Sequence, residues 1–226
     1  MVRFIAFAFV FALFAGLSNA GEQQLHLFML SGQSNMAGLK PEISFTPTVE
    51  KAFGKENVVV VKSAQGGQPI RRWYKAWKPG KTKAPGKQWD TKLYDNLLNA
   101  TKKALGNRKP TTITFVWMQG ERDAKEKYAD VYAQSLVGLM DQIKKDMNHE
   151  QLFFVIGRLS DNRKGGDWEG VRQAQVKVAE DSPLGAWVDT DDLNGPKNGL
   201  HYTKDGYKTM GERFAQEAIK LITGKK

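Results

Sequence analysis

Five short apolar runs constrain this chain more than any other feature, at 25–30, 57–62, 111–118, 152–158 and 186–189. They are rich in Val, Ile, Phe and Trp, and most lack the polar alternation of a strand with one face in water. A run that is apolar at successive positions reads as a strand covered on both faces. Between the runs lie helical patterns at 91–105, 127–147, 168–180 and 204–222. In the second, Tyr128, Val131, Tyr132, Leu136, Leu139, Met140 and Ile143 recur at helical spacing and give one apolar face. Strand and helix in repeated alternation predict an α/β fold, with a central parallel sheet of about five strands between layers of helices. In such sheets ligands bind outside the carboxyl ends of the strands.

The first twenty residues stand apart from this pattern. Arg3 precedes an apolar run from Phe4 to about Gly16, and Ser18-Asn19-Ala20 closes it with small residues. That is the layout of a secretory signal peptide cleaved after Ala20. Residues 1–20 are therefore expected to be removed, leaving 21–226 as one domain, secreted or periplasmic. The apolar run is shorter than the roughly 20 residues that span a bilayer, so no stable membrane insertion is expected after cleavage. The chain contains no cysteine, so its fold must hold without disulfides, and a domain of this size buries core enough to do so. A net charge of +10, about +9 without Arg3, favours anionic partners such as acidic polysaccharides, nucleic acids or membrane surfaces.

Residues 71–92 break the alternation. They carry eight Lys or Arg against a single acid, Asp90, with Trp73, Tyr74, Trp77 and Trp89 interspersed. Pro79, Gly80, Pro85 and Gly86 predict a long loop, read as an insertion. Aromatic rings among cations can stack bases, lie on sugar faces, or pack on the protein body while the lysines stay in water.

Three of the expected strands end in polar, glycine-containing turns. These are Gly32-Gln33-Ser34-Asn35-Met36, then Ser63-Ala64-Gln65-Gly66-Gly67-Gln68-Pro69-Ile70, and Gln119-Gly120-Glu121-Arg122-Asp123. A fourth polar cluster, Asn198-Gly199-Leu200-His201, precedes the last helix. A parallel sheet would gather these distant segments at one edge. Acyl transfer needs a nucleophile, a base and preorganised donors for the oxyanion. Ser34 can supply the nucleophile and one backbone N–H, although a serine at this place also serves as a helix cap. Gly67 or Gly66 can bring a second N–H close to substrate, since no Cβ intervenes. Gln119 offers a side-chain amide. Of the three histidines, His26 lies inside the first strand and His149 in a polar link, which leaves His201 as the base.

These residues resemble a known family. GQSNM at 32–36, GGQPIRRW at 66–73, WMQGERDA at 117–124 and GLHYTKDGYKTMGERFA at 199–215 are similar, in order, to blocks of the SGNH/GDSL hydrolase superfamily. Within it, the sialate O-acetylesterase and acetyl xylan esterase-like group is the nearest in pattern. The resemblance implies a flavodoxin-like three-layer sandwich and a serine esterase that removes acetyl groups from carbohydrates, with no metal or organic cofactor. It implies Ser34 as nucleophile, His201 as base, and an oxyanion hole from the Ser34 and Gly67 backbones with the Gln119 side chain. Substrate contacts are expected from Gln33 and Asn35 in the first block and from Arg71 and Trp73 in the second. The expected partner is an acetylated carbohydrate, acidic if the basic surface takes part.

One position departs from the family pattern. Where these enzymes usually carry an Asp three residues before the histidine, this chain has Asn198. The aspartate normally fixes the histidine tautomer and stabilises the imidazolium, and an amide brings no charge. Glu121, Asp123, Asp189, Asp191, Asp192 and Asp205 are the acids that can substitute, with Glu121 the leading one because it sits on the expected site edge. The alternative is a catalytically impaired esterase fold that binds acidic polysaccharide. A nucleic-acid role finds no matching motif, and Asp189, Asp191 and Asp192 fail the EF-hand pattern because Leu193 and Asn194 occupy required positions, so no metal is expected.

Overall fold

The computed structural model describes residues 24–85 and 90–224. The expected signal segment 1–20 and Trp89 of the basic loop lie outside the described residues. In chain order the elements are β1 (His26–Gly32), α1 (Ser34–Gly38), α2 (Phe45–Phe53), β2 (Val58–Ala64), α3 (Lys92–Leu105), β3 (Thr112–Met118), α4 (Glu121–Lys125), α5 (Ala129–Asp146), β4 (Phe153–Gly157), α6 (Gly166–Glu180), β5 (Gly185–Val188) and α7 (Lys204–Thr223). The strands form one sheet in the order β2-β1-β3-β4-β5, parallel throughout. This is the flavodoxin-like order, and its switch point lies between β1 and β3, where the chain leaves β1 toward opposite edges of the sheet. Helices α2 and α7 pack together on one face, while α3, α5 and α6 cover the other.

The physical origin of this arrangement is the apolar character already visible in the strands. Phe28, Met29 and Leu30 of β1, Phe115, Val116 and Trp117 of β3, and Val155 and Ile156 of β4 are all buried, on both sides of the sheet. Side chains that alternate in direction yet stay apolar need a helical layer above and below. Three helices escape the sequence pattern. α1 and α4 have five residues each, and α2 buries only Phe45 and Val49. Pro47 sits in the first turn of α2, where its missing N–H costs no hydrogen bond.

Register brings the strand ends level. Gly32 pairs with Ala64 of β2 and with Met118 of β3, so Gln33, Gln65 and Gln119 leave the sheet at one edge. Gly32 makes the closest approach possible, with φ +145 and its Cα so near β3 that a Cβ would stand 2.0 Å from the Met118 carbonyl oxygen. The next amide, Gln33 N, donates to that carbonyl at 2.9 Å.

The described part of the basic aromatic segment is packed onto the body. Trp73 is wholly buried and meets Trp117 edge-on, with ring centres 5.2 Å apart. Trp77 packs edge-on against Tyr128 at 5.1 Å, and the Arg71 guanidinium lies over both rings. Backbone ties to α5 and the turn before it complete the attachment: Gln142 Oε1 accepts from Lys75 N, and Tyr128 Oη donates to Lys83 O. The rings serve packing, while Lys75, Lys78, Lys81 and Lys83 keep to the surface.

Candidate active site

The four polar clusters meet at the carboxyl edge of the sheet. Gln33, Ser34, Gly66, Gly67, Glu121, Arg122, Lys125, Arg163, Trp168, Leu200 and His201 line one cavity of about 440 Å³, within the range of small-molecule sites. Ser34 and His201 therefore share a cavity, from opposite ends of the chain. Ser34 is the first residue of α1, and the cap position falls on Gln33. Among the described residues its hydroxyl makes no hydrogen bond, so it does not cap the helix. The turn at Gly66 and Gly67 passes beside it: a Cβ at Gly66 would lie 3.6 Å from the Ser34 Cβ, and Gly67, at φ +68, faces open space. As a first-turn residue, Ser34 has no intrahelical acceptor for its N–H. No hydrogen bond among the described residues uses Gly67 N–H either.

Behind the cavity wall, a buried network fixes the three turns relative to one another. Gln119 Nε2 reaches Gln33 Oε1 at 3.2 Å, Gln68 O at 3.1 Å and Asp123 Oδ2 at 2.6 Å. Asp123 Oδ2 also accepts from Ile70 N at 2.9 Å, and Gln33 Oε1 from Arg122 N at 3.2 Å. Gln119 is thus fully buried, with both amide hydrogens committed, and it does not line the cavity. Its place is beneath the site, where it holds the first and second turns together. Trp73 and Arg71 also stay outside the cavity. Trp73 is core, and Arg71 is buried with its guanidinium 2.5 Å from Glu126 Oε2. Gln33 lines the cavity, whereas Asn35 lies just under it.

Asn35 organises the acid–base side. Its Nδ2 donates to Glu121 Oε1 and to Leu200 O, each at 3.1 Å, and its Oδ1 accepts from Tyr207 Oη at 3.2 Å. One amide thus pins the residue before His201 to the carboxylate of Glu121. Glu121 Oε2 is buried without a hydrogen-bond partner among the described residues. Burial pushes this carboxyl up to about 7, and the neighbouring Asp123 adds to the shift. Burial likewise raises Asp123 to about 6, against the pull of its hydrogen bonds from Gln119 and Ile70.

Asn198 points away. It takes a left-handed conformation, φ 42, which asparagine tolerates, and its Nδ2 donates to Asp161 Oδ1 at 3.2 Å. Asn162 Nδ2 in turn donates to Asn198 O, and Asn194 Nδ2 donates to Gly199 O at 2.6 Å and to Ser160 Oγ at 2.9 Å. These bonds tie the His201 loop to the loop after β4. Neither ring nitrogen of His201 has a hydrogen-bond partner among the described residues. Of the remaining acids, Asp191 is engaged by Arg158 and Arg172, and Asp192 by Arg213.

Sequence reasoning missed part of the cavity wall. Arg122 and Lys125 belong to the third turn and its short helix, and Arg163 and Trp168 follow β4. The signal was present in Ser160-Asp161-Asn162-Arg163-Lys164-Gly165, a fourth polar, glycine-containing turn after a strand.

Comparison with known proteins bears on this geometry. Residues 38–220 match the family model described as carbohydrate esterase, sialic acid-specific acetylesterase. That span holds His201 and Glu121 and begins just past Ser34. A probable carbohydrate esterase of Arabidopsis thaliana is 23% identical over 200 residues, covering 86% of this chain and 68% of the relative. The crystal structure of that Arabidopsis protein superposes with a TM-score of 0.67 at 19% identity, covering 87% of this chain and 98% of the other. A carbohydrate acetylesterase from Xanthomonas citri gives the same TM-score and identity over 88% of this chain, which spans 56% of that longer protein. At such identities the superpositions show a shared fold, and the family rests on the family model, which matches well over half the sequence. The chain belongs to the sialic acid-specific acetylesterase family of carbohydrate esterases.

Proposed function

We propose that this protein is an exported serine esterase that hydrolyses O-acetyl esters on carbohydrates, sialate or xylan in type and acidic by preference. The observation that carries the reading is the meeting of Ser34 and His201 in one cavity, beside the Ser34 and Gly67 N–H groups, which have no acceptor among the described residues. Ser34 Oγ attacks the acetyl carbonyl as His201 takes its proton, and the Ser34 and Gly67 N–H groups receive the negative charge on the carbonyl oxygen. His201 then protonates the departing sugar hydroxyl, and activates the water that releases acetate from Ser34. Gln119 acts from below, by holding Gln33 and the 66–70 turn in place. Glu121 is the acid behind His201 in this reading. Its support is its buried, unpartnered Oε2 and the Asn35 amide that joins it to the His201 loop.

The test is acetate release from acetylated sialic acid and acetylated xylan oligosaccharides by the purified protein beside Ser34→Ala and His201→Ala. Each variant is expected to lose about 10³-fold or more in kcat. Wild-type rates in both variants would refute the mechanism. A second reading, an esterase scaffold that binds acidic polysaccharide without turnover, is favoured by Asn198 and by the unsupported His201 ring. Calorimetric binding with no acetate released would select it.

A further inference from the structure

The cavity of Ser34 and His201 is walled by cations. Arg122, Lys125 and Arg163 all line it, and Glu121, buried, is the single acid among the lining residues. Arg122 is already engaged, its Nε 2.6 Å from Glu126 Oε1. Lys125 and Arg163 are exposed and form no ion pair among the described residues. The Arg163 guanidinium lies over the ring of Trp168, 5.7 Å from its centre, and that indole is anchored by its Nε1 donating to Ser160 O at 2.9 Å. Stacking occupies the flat face of a guanidinium and leaves its edge N–H groups to donate. The site therefore presents one stacked guanidinium fork and one lysine ammonium, while the single lining carboxyl, Glu121, is buried and bonded to Asn35. A planar carboxylate fits that pair, since it accepts two parallel N–H bonds from an arginine.

We propose that Lys125 and Arg163 form a subsite for the carboxylate of an acidic sugar whose O-acetyl group lies at Ser34. The proposal rests on the esterase reading of the same cavity and adds to it the residues that choose the substrate. Both residues line the cavity that holds Ser34, and at about 440 Å³ it has room for a sugar unit carrying both the carboxylate and the acetyl. Nonulosonic and uronic acids both carry this chemistry.

The experiment compares acetate release from O-acetylated N-acetylneuraminic acid and O-acetylated glucuronic acid with release from their neutral methyl esters, using wild type, Lys125→Gln and Arg163→Gln. Wild type is expected to favour the free acid over the methyl ester by about tenfold in kcat/KM, the size of one charge-assisted contact. The preference should lie in KM, fall with added salt, and collapse toward unity in Arg163→Gln. The acid with the larger preference identifies the sugar class. Binding of deacetylated free acid to Ser34→Ala, followed by calorimetry and lost in Ser34→Ala/Arg163→Gln, reads the subsite without turnover. Equal rates on acid and methyl ester in wild type would overturn the subsite and leave the esterase reading standing. Arg163-dependent binding without acetate release would uphold the subsite and refute the esterase. Preference for a sulfated sugar over both acids would overturn the carboxylate assignment.

Discussion

Glu121 is held on one side only. Asn35 satisfies Oε1, while Oε2 is buried and bare among the described residues. A buried carboxyl left half-satisfied carries a cost that a purely structural residue has no reason to bear. On the proposed mechanism, Glu121→Gln lowers kcat by about 10³–10⁴-fold, the loss seen when a triad acid becomes an amide. Asn198→Ala should lower it by less than about threefold, because the Asn198 side chain serves Asp161. Steady-state rates for the two variants decide the matter, and the opposite ranking would return the acid's role to the 198 position. In wild type, kcat/KM should rise through about pH 7 as Glu121 ionises. Ser34 and His201 stood out as candidates at this scale because so few alternatives existed, with three histidines and two of them misplaced for the edge, and the fold brings both to one cavity. Trp73 and Gln119 were misread because a strand-end motif reveals residue type and neighbourhood, whereas burial decides whether a side chain faces ligand or core.

At the scale of elements, the site depends on how closely β1 approaches β3 at their carboxyl ends. Gly32 lets that approach happen, with a φ that L side chains rarely adopt and no room for a methyl beside Met118 O. Gly32→Ala is expected to cost about 3 kcal/mol or more, from strain and displaced backbone together. Urea denaturation measures it, and a loss below about 1 kcal/mol would show that the edge has slack. The same substitution should shift Ser34 relative to the 66–67 turn and reduce activity in whatever folds. All five strands and the four long helices follow from their patterns, because a continuous apolar run and a 3.6-residue stripe are local properties. The helices α1, α2 and α4 did not, since a single turn or two buried residues leave no period to read.

For the molecule as a whole, the buried acids set a dependence of stability on pH. In the unfolded chain Glu121 and Asp123 ionise near their ordinary 4.5 and 3.8, but in the fold they keep their protons to about 7 and about 6. A folded-state pKa above the unfolded one gives stability that is complete below about pH 4 and lost as pH rises through 6 and 7. Glu121→Gln keeps an acceptor for Asn35 and removes the charge, so it should match wild type near pH 4. By pH 8 it should exceed wild type by on the order of 2 kcal/mol, as read by urea midpoints. A constant difference across that range would show that Glu121 ionises as freely in the fold as outside it. The carboxylate proposed for catalysis is then one that weakens the fold at the pH where it works, a common exchange between activity and stability. The parallel α/β sheet and the edge at which the polar turns gather were legible in the chain alone, as were Ser34 and His201 as candidates, because strand and helix periods and motif order are properties of the sequence. Tertiary structure decided which polar residues face the cavity. It turned Asn198 toward Asp161, buried Gln119 and Trp73, and brought Lys125, Arg163 and Glu121 beside Ser34. Those outcomes depend on packing between elements far apart in sequence, where burial and the satisfaction of hydrogen bonds choose the direction of each side chain.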